Sequence, residues 1–291
     1  MNAAVILMAY GSPATADDVP AYLADIREGR PVSQETIDEL TERYRRIGGR
    51  SPLDEITEAQ RAALESELEV PVFVGMKHWR PRIAEAVEAA LAEGADTLIG
   101  LVLAPHYSRL SIAGYRDQLA AGLRGSAELR MIESWHDFEP FVDVLAARVR
   151  GTNAHVVFTA HSLPARVLEE GDPYQDQLLE TCRLVAERAE LGDWSFSYQS
   201  ESPTGEPWLG PDILDHLDDL QARGVGAVLV CPVGFVSDHL EIRWDIDIEA
   251  QDRARELGMT LQRIEMPNAD PEFVRALTSL VEQELGTRAP G

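Results

Sequence analysis

Val5-Ile6-Leu7-Met8 runs without a polar side chain into Ala9-Tyr10-Gly11-Ser12-Pro13, and the design returns as Val156-Val157-Phe158-Thr159 into Ala160-His161-Ser162-Leu163-Pro164. A short apolar run that breaks at small, polar and turn-forming residues reads as a buried strand ending in a tight elbow. Six further runs have the same character: Val70–Val74, Thr97–Leu103, Leu129–Ile132, Ser195–Tyr198, Ala227–Val230 and Thr260–Ile264. The segments between them are long enough for crossover helices, and alternation of this kind implies parallel sheets covered by helices on both faces.

Helix starts can be read between the runs. Thr57 with Gln60 fits a capping box, and Ser51-Pro52 fits an N-cap followed by proline. Asp172-Pro173 and Gly210-Pro211 mark two more starts. Ile83–Leu91 repeats apolar residues at helical spacing. The eight runs fall into two sets of four that echo each other. In each set the first run ends at an elbow. The third ends at a Pro-containing loop, Ala104-Pro105-His106-Tyr107-Ser108 or Cys231-Pro232-Val233-Gly234-Phe235. In parallel α/β sheets ligands bind at the carboxyl ends of strands. Two halves related by a pseudo-two-fold would turn all four loops toward one cleft, with Glu133–Asn153 as the hinge.

The 291 residues suit one large or two ordinary domains, and 45% hydrophobic with 26% charged residues is the balance of a folded globular chain. No apolar run approaches the roughly 18 residues that cross a bilayer. The amino terminus enters directly into an apolar strand, without a basic leader, so a cytoplasmic protein is expected. The formal charge of −24 sets 50 acidic against 26 basic residues, and of the basic ones only Lys77 is a lysine. Such a surface repels nucleic acid and anionic membranes. A salt-rich cytoplasm or a GC-rich coding sequence would each account for the scarcity of lysine. Cys182 and Cys231 form no C-x-x-C pair, which excludes zinc ribbons and four-cysteine iron–sulfur sites within one chain. Both read as small buried apolar residues.

His161 should emerge at the ligand-binding edge, where histidine can bind Fe(II) or accept a proton. A lone histidine is more often a buried residue bonded to a carbonyl. A second motif converges on it: Phe235-Val236-Ser237-Asp238-His239-Leu240-Glu241, followed by Asp245, Asp247 and Glu249. A helix beginning near Ser237 or Asp238 would align Glu241, Asp245 and Glu249 as one acidic stripe. Stacked carboxylates repel unless a cation or a proton occupies them; the plainer alternative is a solvated acidic face. Arg27, Arg30, Arg43, Arg45, Arg46 and Arg50 form a basic island in an acidic protein, suited to gripping carboxylates or to neutralising neighbours such as Glu42. Tyr10, Tyr44, Tyr107, Tyr115, Trp208 and Trp244 lie beside these elements and could face a flat apolar ligand or belong to the core. Neither G-x-G-x-x-G after the first strand nor G-x-x-x-x-G-K-[ST] is present, and the elbow at His161 is not G-x-S-x-G, so dinucleotide, P-loop and serine-hydrolase sites lack support.

These segments, with Ile47-Gly48-Gly49-Arg50-Ser51-Pro52-Leu53, Gly75-Met76-Lys77-His78, Gln199-Ser200 and Trp208-Leu209-Gly210-Pro211, resemble the ferrochelatase family in order from Ile6 to Pro267. The likeness is greatest to the coproporphyrin III ferrochelatases of Gram-positive bacteria. The resemblance implies a chelatase-like α/β fold of two Rossmann-like domains, each a four-stranded parallel sheet flanked by helices. One domain is 1–140 with the returning C-terminal helix 271–291, and the other is 141–270. It implies insertion of Fe(II) into a carboxylated porphyrin, with His161 and Glu241 catalytic and metal-binding and Asp245 and Glu249 continuing the metal path. Tyr10, Arg27, Arg43, Tyr44, Ser51 and Tyr115 fall on porphyrin-binding positions, with Tyr10 favouring coproporphyrin III. Where relatives often carry a second basic residue after the one matching Arg27, this chain has Glu28.

The resemblance further implies Fe(II) and porphyrin as the only partners, no cofactor beyond the substrate iron, no iron–sulfur cluster, no membrane insertion and a monomer. The alternatives are a protoporphyrin IX ferrochelatase, a cobalt–sirohydrochlorin chelatase, which would present two histidines to its metal, or a non-catalytic heme- or porphyrin-binding protein.

Overall fold

The computed structural model describes residues 2–125, 127–202 and 205–286. All eight runs are strands: β1 (Ala3–Ala9), β2 (Val72–Met76), β3 (Thr97–Val102), β4 (Glu128–Ile132), β5 (His155–His161), β6 (Trp194–Gln199), β7 (Ala227–Cys231) and β8 (Thr260–Arg263). They build two parallel four-stranded sheets with strand orders β2-β1-β3-β4 and β6-β5-β7-β8. β2 begins two residues later than the apolar run, because Glu69 closes the preceding helix in a left-handed conformation (φ 52°) and Pro71 follows. β5 runs on through His161, which pairs with Gln199.

The strand orders explain why the two elbows matter. In each sheet the chain leaves β1 or β5 to one side and later returns to the other, so the carboxyl end of that strand is a topological switch point where a crevice opens. Tyr10 follows one switch point and His161 ends the other. The first elbow requires glycine: Gly11 has φ +92°, and a Cβ there would lie 2.0 Å from the carbonyl oxygen of His78. Beside the second, a Cβ on Gly234 would lie 2.6 Å from that of Ala160.

The helices are α1 (Val19–Ile26), α2 (Gln34–Arg46), α3 (Leu53–Leu68), α4 (Ile83–Ala92), α5 (Ile112–Gly122), α6 (Glu139–Val149), α7 (Arg166–Glu169), α8 (Tyr174–Ala189), α9 (Ile213–Ala222), α10 (Gln251–Glu256) and α11 (Pro271–Gly286). Ile242–Ala250 is a π-helix leading into α10. α4 and α5 cover the outer face of the first sheet through Ile83, Val87 and Leu119. α9, α10 and the π-helix cover that of the second through Leu217, Ile246 and Ala254. Between the sheets lies one continuous core, with Val5, Leu7 and Ile99 from the first, Val156 and Phe158 from the second, and Phe141, Leu178, Phe273 and Val281 from the helices between. α6, in the segment expected as a hinge, is buried in that core. α11 packs on both α3 and α6; residues 287–291 of the expected C-terminal helix lie outside the described residues. Cys182 and Cys231 are buried free thiols in the same core.

Polar contacts fasten the two halves beneath the cleft. Ser108 Oγ donates to Asp172 at 3.0 Å, the Arg109 amide donates to the same carboxylate at 2.8 Å, and the Tyr107 amide donates to Gln177 at 2.7 Å. On the opposite side Gln60 Nε2 donates to Ser237 Oγ at 3.1 Å and to the Asn268 carbonyl at 2.7 Å.

Candidate active site

His161 and Glu241 meet at the second switch point, and Tyr10, just past the first, lies near enough to feel the charge of Glu241. His161 Nδ1–H donates to the carbonyl of Ser162, its neighbour, which turns Nε2 toward Glu241 Oε1 at 3.6 Å. On the other side of the same carboxylate, His239 Nδ1–H donates to the Ser237 carbonyl at 2.9 Å and its Nε2 stands 3.7 Å from Oε2. With Nδ1 committed to a carbonyl, each neutral ring presents a lone pair at Nε2. Two lone pairs then face an acceptor-only carboxylate whose Oε2 is buried without a hydrogen-bond partner. Such a constellation is satisfied by a proton or a cation in the gap. Burial would raise the Glu241 pKa, but His161 and His239 in their protonated forms, with the hydrogen bond from His239, outweigh it and hold the carboxyl well below its ordinary range. His239 moves the other way: burial lowers it, and Glu241 more than compensates and raises it.

His239 escaped sequence reasoning, although it lies in a quoted motif. Two residues apart, His239 and Glu241 would diverge on a helix. The helical stretch starts only at Leu240, later than the expected Ser237 or Asp238, and His239 is in the loop before it. Phe235 packs on its ring at 4.7 Å between centroids.

The acidic stripe exists, carried by the π-helix rather than an α-helix. π-helical segments are rare and concentrate at functional sites. Asp245 is buried, accepting hydrogen bonds from Ser200 Oγ and, at 3.4 Å, from Gln199 Nε2. Burial first, then the charge of Glu241, pushes its pKa up to about 7, with Glu249 adding to the rise and Arg43 opposing it. Adjacent carboxyls with pKa values driven apart divide their roles: Glu241 stays ionised, and Asp245 can carry a proton near neutrality. Glu249 is half-buried one step further out. Asp247 is engaged elsewhere, paired with Arg263 at 2.7 Å. Among the described residues no three His, Cys, Asp or Glu side chains converge as a metal cage.

Asp245 gives a pH-dependent expectation. With its folded pKa raised above the unfolded carboxyl value of about 3.9, the folded state holds a proton that the unfolded state lacks. Stability from this group therefore falls as pH rises toward 7. Asp245→Asn should remove that slope and raise stability at pH 8 by at most about 4 kcal/mol. Thermal melts at pH 6 and pH 8 check this; an equal loss of Tm with pH in both proteins would refute the buried acid.

The first half supplies the opposite wall. Tyr10 is 43% exposed, opening into the cleft. Its pKa is pushed up to about 12, first by the protein around its hydroxyl and then by the charge of Glu241, so it enters the cleft as a neutral phenol. Its ring packs on His78 at 4.8 Å, and His78 Nδ1 and the Arg82 guanidinium both bond Asp25 behind it. This buttress was also missed by sequence reasoning, although Lys77-His78 was quoted. Tyr44 is buried with its hydroxyl 3.2 Å from Ser12 Oγ, and the charge of Glu241 raises its pKa further after burial and despite the Ser12 bond.

The remaining porphyrin candidates are dispersed. Arg27 is exposed at the end of α1. Ser51 is buried, its Oγ accepting from the Leu53 amide at 3.3 Å. Tyr115 is buried beneath Lys77, whose Nζ lies 5.0 Å from the ring centroid. Arg43 lies against Trp244, 5.3 Å from the ring centroid. In the basic island, Arg45 and Arg50 pair with Glu42 and Glu55 at 3.9 and 2.7 Å.

The arrangement of two doubly wound parallel sheets around a cleft is that of the chelatases. SirB from Bacillus subtilis, solved with Fe3+, matches with a TM-score of 0.66 over 98% of this chain and 96% of its own at 12% identity; CbiX, described as the terminal enzyme of siroheme biosynthesis in denitrifying bacteria, matches at 0.53, covering 97% of this chain and 99% of its own at 14% identity. At that identity these likenesses define the fold. Sequence defines the family. The ferrochelatase family model matches residues 2–285, and a ferrochelatase of Deinococcus radiodurans is 46% identical over 96% of this chain and 95% of its own. The coproporphyrin III ferrochelatase of Halalkalibacterium halodurans is 40% identical over 98% and 97% of the two chains. The chain belongs to the ferrochelatase family and is a porphyrin metal chelatase, a lyase of heme biosynthesis acting on iron and porphyrin. No helix among the described residues is long and apolar enough to cross a membrane.

Proposed function

We propose that the chain inserts Fe(II) into coproporphyrin III to give coproheme, with His161 and Glu241 carrying the insertion and Tyr10 closing on the metal from the opposite wall. The observation that supports this most is the pair of Nε2 atoms flanking Glu241 across the cleft from Tyr10. Metallation adds one Fe(II) and releases the two pyrrole N–H protons. A group that accepts protons must therefore stand where the metal arrives, and His161 Nε2 and the Glu241 carboxylate provide both functions at one point. Asp245, able to exchange a proton near neutrality, passes charge between Glu241 and Glu249. The cleft walls bind the macrocycle bent, which turns binding energy toward the reactive geometry. Relatives named for coproporphyrin III support this substrate, as does the open phenol of Tyr10. We further propose that the chain works as a cytoplasmic monomer without a resident cofactor.

The test is direct. Purified protein, Fe(II) and either coproporphyrin III or protoporphyrin IX are mixed and the Soret band is followed. Coproporphyrin III should be turned over at least about 10-fold more efficiently, a difference of about 1.4 kcal/mol in transition-state binding, and Tyr10→Phe should erase most of that advantage. Equal or reversed rates would overturn the substrate assignment.

A second imidazole beside Glu241 is the feature that keeps a cobalt–sirohydrochlorin reading in view, since such a chelatase would present two histidines. Co(II) with sirohydrochlorin belongs in the same assay and should give no insertion.

A further inference from the structure

Arg43 and Arg46 occupy the last turn of α2, three residues apart. Both guanidinium carbons approach the ring of Trp244, at 5.3 and 4.9 Å from its centroid. Among the described residues neither has a carboxylate within salt-bridge distance, whereas Arg45 between them and Arg50 beyond them do. Placement near a helix carboxyl end favours cations in general. It does not explain why two of them leave the acidic neighbours of their own helix and share one indole from the other half of the fold. Two like charges on one ring repel, and the arrangement becomes favourable when an anion joins them; a fork of two guanidiniums on a fixed flat surface suits a carboxylate.

The location fits an anion that belongs to the substrate. Trp244 is largely buried and follows Glu241 by three residues, so its ring is carried with the metal-handling end of the π-helix. Tyr44, between the two arginines in sequence, is buried within reach of the charge of Glu241. The fork thus joins the cleft wall of one half to the helix of the other.

We propose that Trp244 is a positioning residue, whose ring presents Arg43 and Arg46 as one fork for a peripheral carboxylate of the porphyrin and so registers the macrocycle against Glu241. The inference rests on the proposed porphyrin-metallating function and adds Arg46 and Trp244 to it. The ring acts through the arginines and makes no demand on the chemistry at Glu241. Its loss should therefore weaken recognition of the carboxylate and spare the insertion step.

The experiment uses the full chain, coproporphyrin III, and its tetramethyl ester in the same detergent micelles, with binding followed by fluorescence quenching and insertion by the Soret band. Trp244→Leu should raise KM and Kd for the free acid about 10-fold, with kcat within about 2-fold and ester affinity unchanged. Trp244→Tyr, which restores an aromatic face, should recover most of the loss. Arg46→Ala, at an exposed position, should weaken binding of the acid about 3-fold and of the ester not at all. Equal weakening of acid and ester, a fall in kcat without a change in KM, or wild-type behaviour of both Trp244→Leu and Arg46→Ala would overturn the fork. A wild-type chain that binds neither porphyrin would overturn the underlying function and the fork with it, and is recognised before any variant is made.

Discussion

His161→Ala should lose about 10³-fold in kcat for Fe(II) insertion, within the range expected for deleting a positioned proton acceptor, while porphyrin affinity changes less than about 3-fold. The asymmetry follows from the geometry. His161 Nδ1 is tied to the Ser162 carbonyl, so the ring's one free nitrogen is the Nε2 that faces Glu241. Removing the ring takes away an acceptor beside Glu241 and leaves Tyr10 and the buried Tyr44 in place. His239 still flanks Glu241 from the other side, but its neighbour Ser237 is held by Gln60 in the fastening between the halves, so it has little freedom to move across. Stopped-flow Soret spectra and fluorescence titration separate the two quantities. A variant that turns over at the wild-type rate would remove His161 from the mechanism.

Glu241→Gln should be nearly as damaging to insertion, by about 10²- to 10³-fold, on the scale of losing one preorganised electrostatic partner. It should also change the acid behaviour of the fold. A carboxyl whose folded pKa lies below its unfolded value contributes stability that is present above the unfolded range and is lost as pH falls through the folded value. The wild type should therefore lose Tm as pH falls from about 4.3 through about 2. Glu241→Gln should begin lower at pH 7 and decline less over the same interval, because the amide has no charge to lose. Parallel melting profiles for the two proteins would show that Glu241 is not held as an anion between two imidazoles.

Much of the fold is legible in the residues because it depends on local features. Each strand announces itself as an apolar run stopped by small or turn-forming residues, and the two elbows repeat closely enough to pair the halves. The placement of His161 at a strand end and of Glu241 at the head of a carboxylate series is legible for the same reason, whereas their pairing as one site comes from the family resemblance and not from either residue alone. Other features are set by folding distance and leave no local trace. His239 is hidden because the reading assumes a helix where a loop turns the ring back on Glu241. The i→i+5 bonding of Ile242–Ala250 has no spacing signature that separates it from an α-helix over two turns. The buffered proton on Asp245 depends on burial beside Glu241, which composition cannot disclose. Asp25, Arg82 and His78 behind Tyr10 come from separate stretches. The one core shared by both sheets is likewise invisible to a reading that divides the chain into halves. Apolar strand residues such as Leu7 and Phe158 look the same in sequence whether they face a second sheet or a covering helix.

The two carbonyls that hold Nδ1 of His161 and His239 impose a rule of traffic. A proton captured at Nε2 of either ring has no through-route to the far side, because the far nitrogen is already bonded to backbone that can accept nothing further from it. The rings behave as berths rather than conduits. Under the proposed insertion each would discharge through the face by which it was loaded, and a turnover would clear the gap around Glu241 before the next macrocycle delivers its own pair.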